Sequence, residues 1–154
     1  MEYTVTPLAD IAPKVAAARV AFDAGKTRPQ SWRRSTLERL RDLVEEREEQ
    51  LLAALAADLS KPPLEAWTSE IGFIVGDINH TLAHLSTWMQ PDRVATPLAF
   101  KPGTSHIVSE PMGVACVIAP WNYPVQLLLL PVVGAIAAGN TVVAKPSELA
   151  PRDS

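Results

Sequence analysis

With 154 residues, 47% of them apolar and 20% charged, the chain has the composition of one ordinary globular domain and is short for two. A formal net charge of −3 leaves no basic footprint for nucleic acid or for an anionic membrane surface. The single cysteine, Cys116, excludes an internal disulfide framework and a cysteine-based zinc cluster, and it fits a reducing compartment.

The N-terminal stretch MEYTVTPLAD lacks the basic and apolar regions of a secretory signal. The most apolar run, VQLLLLPVVGAIAA over 125–138, is short against the roughly 20 residues a bilayer crossing needs, and it contains Gln126, Pro131 and Gly134. It reads as a buried helix of a soluble, cytoplasmic protein with no membrane span.

Three helical segments are expected within 1–90. The first, about 11–22, is alanine-rich and stops at the breaker Gly25. The second runs over about 31–59, where Leu37, Leu40, Val44, Leu51, Leu55 and Leu59 recur at three- and four-residue steps or multiples of a turn. Arg34–Glu38 and Arg41–Glu45 at i,i+4 mark its solvated face, and Lys61-Pro62-Pro63 ends it. The third, about 64–89, buries Trp67, Ile71, Ile74, Ile78, Leu82, Leu85 and Trp88. His80 and His84 on it stand at i,i+4 with Asp77 one turn earlier, a spacing compatible with two metal ligands. No third ligand is evident, so they read as exposed polar positions and no metal site is assigned.

Pro91, Pro97, Pro102 and Pro111 mark a non-helical segment over 91–111. Within it SHIVSE (105–110) alternates polar and apolar residues after a Pro-Gly turn at 102–103, which predicts a hairpin or extended arm with His106 in solvent. Character changes at Met112. GVACVIA (113–119) is a continuous run of β-formers, expected as a strand buried on both faces, with Cys116 an inert small hydrophobe inside it. Pro124 suits a helix start, Gly139-Asn140 its end, and TVVAK (141–145) a second strand.

The expected fold class is therefore α/β. N-terminal helices (1–90) and a β-arm (91–111) lead into the first βαβ unit (112–154) of a doubly wound, Rossmann-like sheet. Two strands leave an edge unpaired and a face without cover, so the sequence reads as the N-terminal piece of something larger.

Ligands of such sheets gather beyond the carboxyl ends of the strands. Pro120-Trp121-Asn122 ends the first strand and Lys145-Pro146-Ser147-Glu148 the second. An acidic residue at the second position is where such folds read an adenosine ribose. The glycine-rich phosphate loop is absent from the first turn, where a proline and a bulky Trp stand instead. Pattern alone equally allows a rigid turn at PWNYP and a helix cap at KPSE. Asn122, between two prolines, carries an amide that can donate to an oxyanion without a pKa of its own. Asn is also common in turns for its local hydrogen bonds.

The run EPMGVACVIAPWNYPVQLLLLPVVGAIAAGNTVVAKPSELAP (110–151) resembles the aldehyde dehydrogenase superfamily, with PWN and GN(x)4KPSE separated by twenty-three residues from Asn122 to Lys145. FDAGKTRPQSWRRSTLERL (22–40) and LLAALAADLSKP (51–62) are similar to its class 3 branch, which takes fatty, medium-chain and aromatic aldehydes. The resemblance implies NAD(P)-dependent oxidation of an aldehyde to a carboxylate through a cysteine thioester. It implies that Asn122 is the oxyanion donor and that Ile118, Ala119, Pro120 and Trp121 line the nicotinamide end of the cofactor site. Lys145 and Glu148 then meet the adenosine ribose, and Tyr123, Leu127 and Leu130 are walls of the aldehyde tunnel. For the two leucines, at i,i+3 on one helix face, core packing is an equal reading. The arm resembles the family's bridging hairpin and implies a homodimer of the full-length protein. The family's nucleophilic cysteine, general-base glutamate and pyrophosphate-binding glycines lie beyond residue 154, so this chain alone is expected to be inactive. The alternative is a non-catalytic truncated product that associates with a complementing chain or partner.

Overall fold

The computed structural model describes residues 6–152. Three helical stretches occur where the alanine-rich first segment and the apolar periodicity of the next two place them. α1 spans Leu8–Asp23 and ends just before Gly25, whose φ of +73° suits a residue without a Cβ. The expected single helix over 31–59 is two, α2 (Gln30–Glu46) and α3 (Glu48–Leu59), broken at Arg47 with φ −103° and ψ 9°. Glu45, Glu46, Glu48 and Glu49 surround that break, and like charges one turn apart oppose a continuous helix. Arg34 pairs with Glu38 at 3.6 Å as expected, but Arg41 turns to Asp42 at 2.9 Å instead of Glu45.

The expected helix over 64–89 is continuous but not uniform. α4 (Pro63–Ala66) passes into a π-helical turn, Trp67–Ile71, and then α5 (Gly72–Trp88). The π turn admits an extra residue and rotates everything before it about the axis. Trp67 therefore leaves the apolar stripe and is 43% exposed, while Glu70 enters it fully buried. Trp88, the other end of the expected stripe, is also half exposed and stacks on His84. Between them Ile71, Ile74, Ile78, Leu82 and Leu85 are buried as their spacing predicts. They join Leu37, Val44, Leu55, Val125, Val133 and Ile136 in one cluster, so the N-terminal helices and the βαβ helix share a core.

β1 (Asp92–Val94) and β2 (Ser105–Ile107) form an antiparallel hairpin with His106 exposed. β3 (Val114–Ile118) and β4 (Thr141–Lys145) pair in parallel, from Val114 against Thr141 to Ile118 against Lys145. α6 (Pro124–Ala137) connects them. Its C-terminal end is held by Arg33, which donates to Ala137 O at 2.9 Å and Thr27 O at 3.2 Å, and by Thr27, whose hydroxyl donates to Gly139 O. Asn140 then accepts from the Gly113 amide at 2.9 Å, joining the starts of the two strands.

β3 is not buried on both faces. Val117 and Ala119 are covered, whereas Cys116 is exposed and Ile118 is 71% exposed. Successive side chains alternate between faces; α6 packs along the pair and α1 lies against it where β4 begins, but neither covers Cys116 or Ile118. Cys116 is thus an exposed thiol in mid-strand rather than the buried hydrophobe its neighbours suggest. Among the described residues, no helix is long and apolar enough to cross a membrane.

Candidate functional site

The parallel pairing of β3 and β4 decides where the two loops emerge. The ladder extends one step beyond Ile118, with Ala119 N donating to Lys145 O at 3.0 Å. Pro120 lacks an N–H and ends it. Residues 120–123 and 146–149 therefore leave the same edge of the sheet, as the sequence predicts.

On the first loop Pro120, Trp121, Asn122 and Tyr123 are exposed, and α6 begins at Pro124. The Asn122 carboxamide has no hydrogen-bond partner among the described residues, whereas its main-chain oxygen accepts from Lys61 Nζ at 3.0 Å. The side chain is available and the backbone beneath it is held.

Lys61 and Glu70, which sequence reasoning passed over, do the holding. Lys61 Nζ also pairs with Glu70 Oε1 and lies 3.9 Å from the centroid of the Tyr123 ring. The other oxygen, Glu70 Oε2, accepts from the amides of Val125 at 2.9 Å and Gln126 at 3.2 Å. Tyr123 supplies no side-chain cap to α6; a carboxylate from 55 residues away takes that place, where the helix dipole favours negative charge. One signal was visible. Glu70 stands four residues before Ile74, at the margin of the buried stripe, and the π turn carries it inside, where an acidic residue needs a partner.

On the second loop Lys145 and Glu148 form an exposed ion pair, and Lys145 Nζ also donates to Pro146 O at 3.1 Å. The hydrogen bond from Lys145 holds the Glu148 carboxyl below the usual glutamate range, helped by a backbone hydrogen bond and the lysine charge. The loop is a turn rather than a helix start, with Ser147 buried and its hydroxyl accepting from Leu149 N at 3.2 Å. An ionised carboxylate accepts from hydroxyls and an ammonium donates to them, a pairing suited to vicinal hydroxyls such as those of a ribose.

Leu127 and Leu130 are both half-buried on α6. Leu130 packs against the hydrophobic core, and Leu127 does not belong to that cluster. His84 Nδ1 donates to the His80 carbonyl at 2.8 Å, and no group of three His, Cys, Asp or Glu side chains clusters among the described residues.

The aldehyde dehydrogenase family model matches residues 2–153, and the chain belongs to that family. Its curated relatives include family 3 members: it is 46% identical over 136 residues to aldehyde dehydrogenase family 3 member H1 of Arabidopsis thaliana, covering 88% of this chain and 28% of that protein. It is 44% identical over 131 residues to the human family 3 member B1, covering 85% of this chain and 28% of that one. Among solved structures, the substrate-bound Staphylococcus aureus AldH superposes with a TM-score of 0.91 at 39% identity, over 93% of this chain and 31% of that one. The chain thus spans less than a third of the length of these relatives, and its fold matches an N-terminal part of theirs.

Proposed function

We propose that this protein takes part in NAD(P)-dependent oxidation of an apolar aliphatic or aromatic aldehyde to a carboxylate, and that this chain supplies the oxyanion donor and the ribose contacts. The observation that carries the reading is the β3–β4 register, which delivers the loops of Asn122 and of Lys145 and Glu148 to one sheet edge. In this reading the Asn122 carboxamide donates to the aldehyde oxygen as a cysteine thiolate adds to its carbon. Bound NAD(P) supplies the hydride acceptor. Glu148 accepts from ribose hydroxyls, Lys145 donates to them, and the 118–121 backbone borders the nicotinamide. Tyr123 and Leu127, with Leu130 behind them, present apolar surface to the substrate. The helical segment over 1–90, the arm over 91–111 and the start of the cofactor domain over 112–154 divide the work, and the arm pairs full-length copies as a cytoplasmic homodimer.

The nucleophile and general base lie outside this chain in the proposal. Cys116 pairs with Val143 in mid-strand, whereas Asn122 sits in the loop beyond the strand end. The 154-residue chain alone is expected to yield no reduced nicotinamide from hexanal or benzaldehyde with either cofactor, and turnover by it overturns the assignment. In a protein that does turn over, Asn122→Ala lowers kcat by about 10²–10³-fold. The exposed Met112, Cys116 and Ile118 favour a second reading, a non-catalytic product that docks a complementing chain on its open sheet. Intact mass from the native source separates the two: a value near 16.7 kDa favours the second, a much larger one the first.

A further inference from the structure

We propose that the buried Lys61–Glu70 pair is a positioning device for Asn122, which anchors the loop from both sides and aims its carboxamide before any substrate arrives. The proposal rests on the oxyanion reading of Asn122 for its functional meaning, but its physical content stands on contacts within this chain.

Both groups converge on the short stretch 122–126, meeting Asn122, Tyr123, Val125 and Gln126. Glu70, fully buried, spends one oxygen on Lys61 and the other on the Val125 and Gln126 amides. Pro124, at the first helical position, has no N–H to satisfy, so these two are the first orphan donors of α6. Lys61, with a side chain only 9% exposed, meets Glu70, the Asn122 carbonyl and the face of Tyr123. Its ammonium donates to two of these neighbours and sits over the ring of the third. An ion pair so placed is a weak source of net stability, since desolvation opposes the attraction. Its geometric consequence is large: Asn122 is held by its main chain while its side chain stays unengaged.

The backbone around Glu70 supports the same conclusion. Glu70 lies in the π-helical turn, a feature that recurs at functional sites and redirects the residue it carries. Gly72 permits that turn: a Cβ there would stand 3.2 Å from Trp67 O and 3.0 Å from its ring.

The test uses the whole 154-residue chain with Lys61→Met, Glu70→Gln and the double variant, read by amide hydrogen exchange and backbone order parameters. Exchange at Val125 and Gln126 is expected to rise about tenfold or more in Glu70→Gln relative to the rest of α6, with order lost at Asn122 and Tyr123 in Lys61→Met. The double variant removes both buried charges, so its melting temperature recovers toward that of the parent while order at Asn122 does not. If order at Asn122 returns with stability, or exchange at 125 and 126 is unchanged in Glu70→Gln, the pair is structural only and the proposal fails. In a protein that turns over aldehyde, Lys61→Met lowers kcat and leaves KM for the cofactor unchanged. Full turnover by Asn122→Ala there would instead overturn the oxyanion reading and leave the clamp intact.

Discussion

The end of α6 offers the sharpest energetic test of how the helices hold the sheet. Arg33 is 8% exposed and donates to two main-chain oxygens, one of them on the last turn of α6, where a cation also complements the helix dipole. Burial lowers its pKa, yet a guanidinium remains charged. Gly139, at φ +89°, lies against it so closely that a Cβ would stand 2.6 Å from Arg33 Cζ. Arg33→Ala removes two charge-assisted hydrogen bonds, each worth about 1.5–3 kcal/mol, so the loss is about 3–4 kcal/mol once water reaches the freed carbonyls. Gly139→Ala adds left-handed strain of about 1–2 kcal/mol and displaces the same guanidinium, for a loss of about 4–5 kcal/mol. Two independent sites would sum to about 8 kcal/mol. Because both changes break the same contacts, the double variant is expected to lose only about 5 kcal/mol, a coupling of about 3 kcal/mol. Urea unfolding of the four species measures it. Additivity within about 0.5 kcal/mol refutes the claim that Arg33 and Gly139 form one latch.

Other outcomes follow from single contacts. Because the Glu148 carboxyl is held below the glutamate range, its ion pair with Lys145 contributes above the unfolded value near about 4.3 and is lost as pH falls through the lower folded value. Carbon NMR titration should show that low midpoint, and Lys145→Ala should raise it; a midpoint unmoved by Lys145→Ala refutes the assignment. Gly76 is exposed in mid-helix with nothing within 4 Å of a would-be Cβ, so Gly76→Ala should stabilise the chain by about 0.5–1 kcal/mol, whereas Gly72→Ala should destabilise it. Thermal unfolding distinguishes the two signs. Ile78→Ala, fully buried, should cost about 3–4 kcal/mol, and half-exposed Trp88→Ala under about 1 kcal/mol. Equal losses would mean that both lie on the buried stripe after all.

Local chemistry was legible from the order of residues alone. The 3.6-residue recurrence of Ile71, Ile74, Ile78, Leu82 and Leu85 announces a buried helix face, and each of these is buried. Pro124 and Gly139 bracket α6 because one lacks a donor and the other lacks a Cβ. Two apolar runs joined by a helix admit few arrangements, and the parallel pair is the one found. From that pairing the common edge of PWN and KPSE follows.

Contacts between distant segments were not legible, because no periodicity encodes them. A period of 3.6 places Trp67 on the buried stripe; one extra residue in a π turn exchanges it for Glu70. A run of β-formers suggests a strand covered twice, yet only a neighbouring element can cover a face, so Cys116 and Ile118 lie open. Lys61 reads as the end of a helix, and only the folded chain carries it to the Asn122 carbonyl 61 residues away. By itself, then, the sequence determined where the helical stretches lie, the βαβ unit and the family. The tertiary structure alone decided which charges are buried together and what they hold, because desolvation and hydrogen bonding depend on neighbours in space.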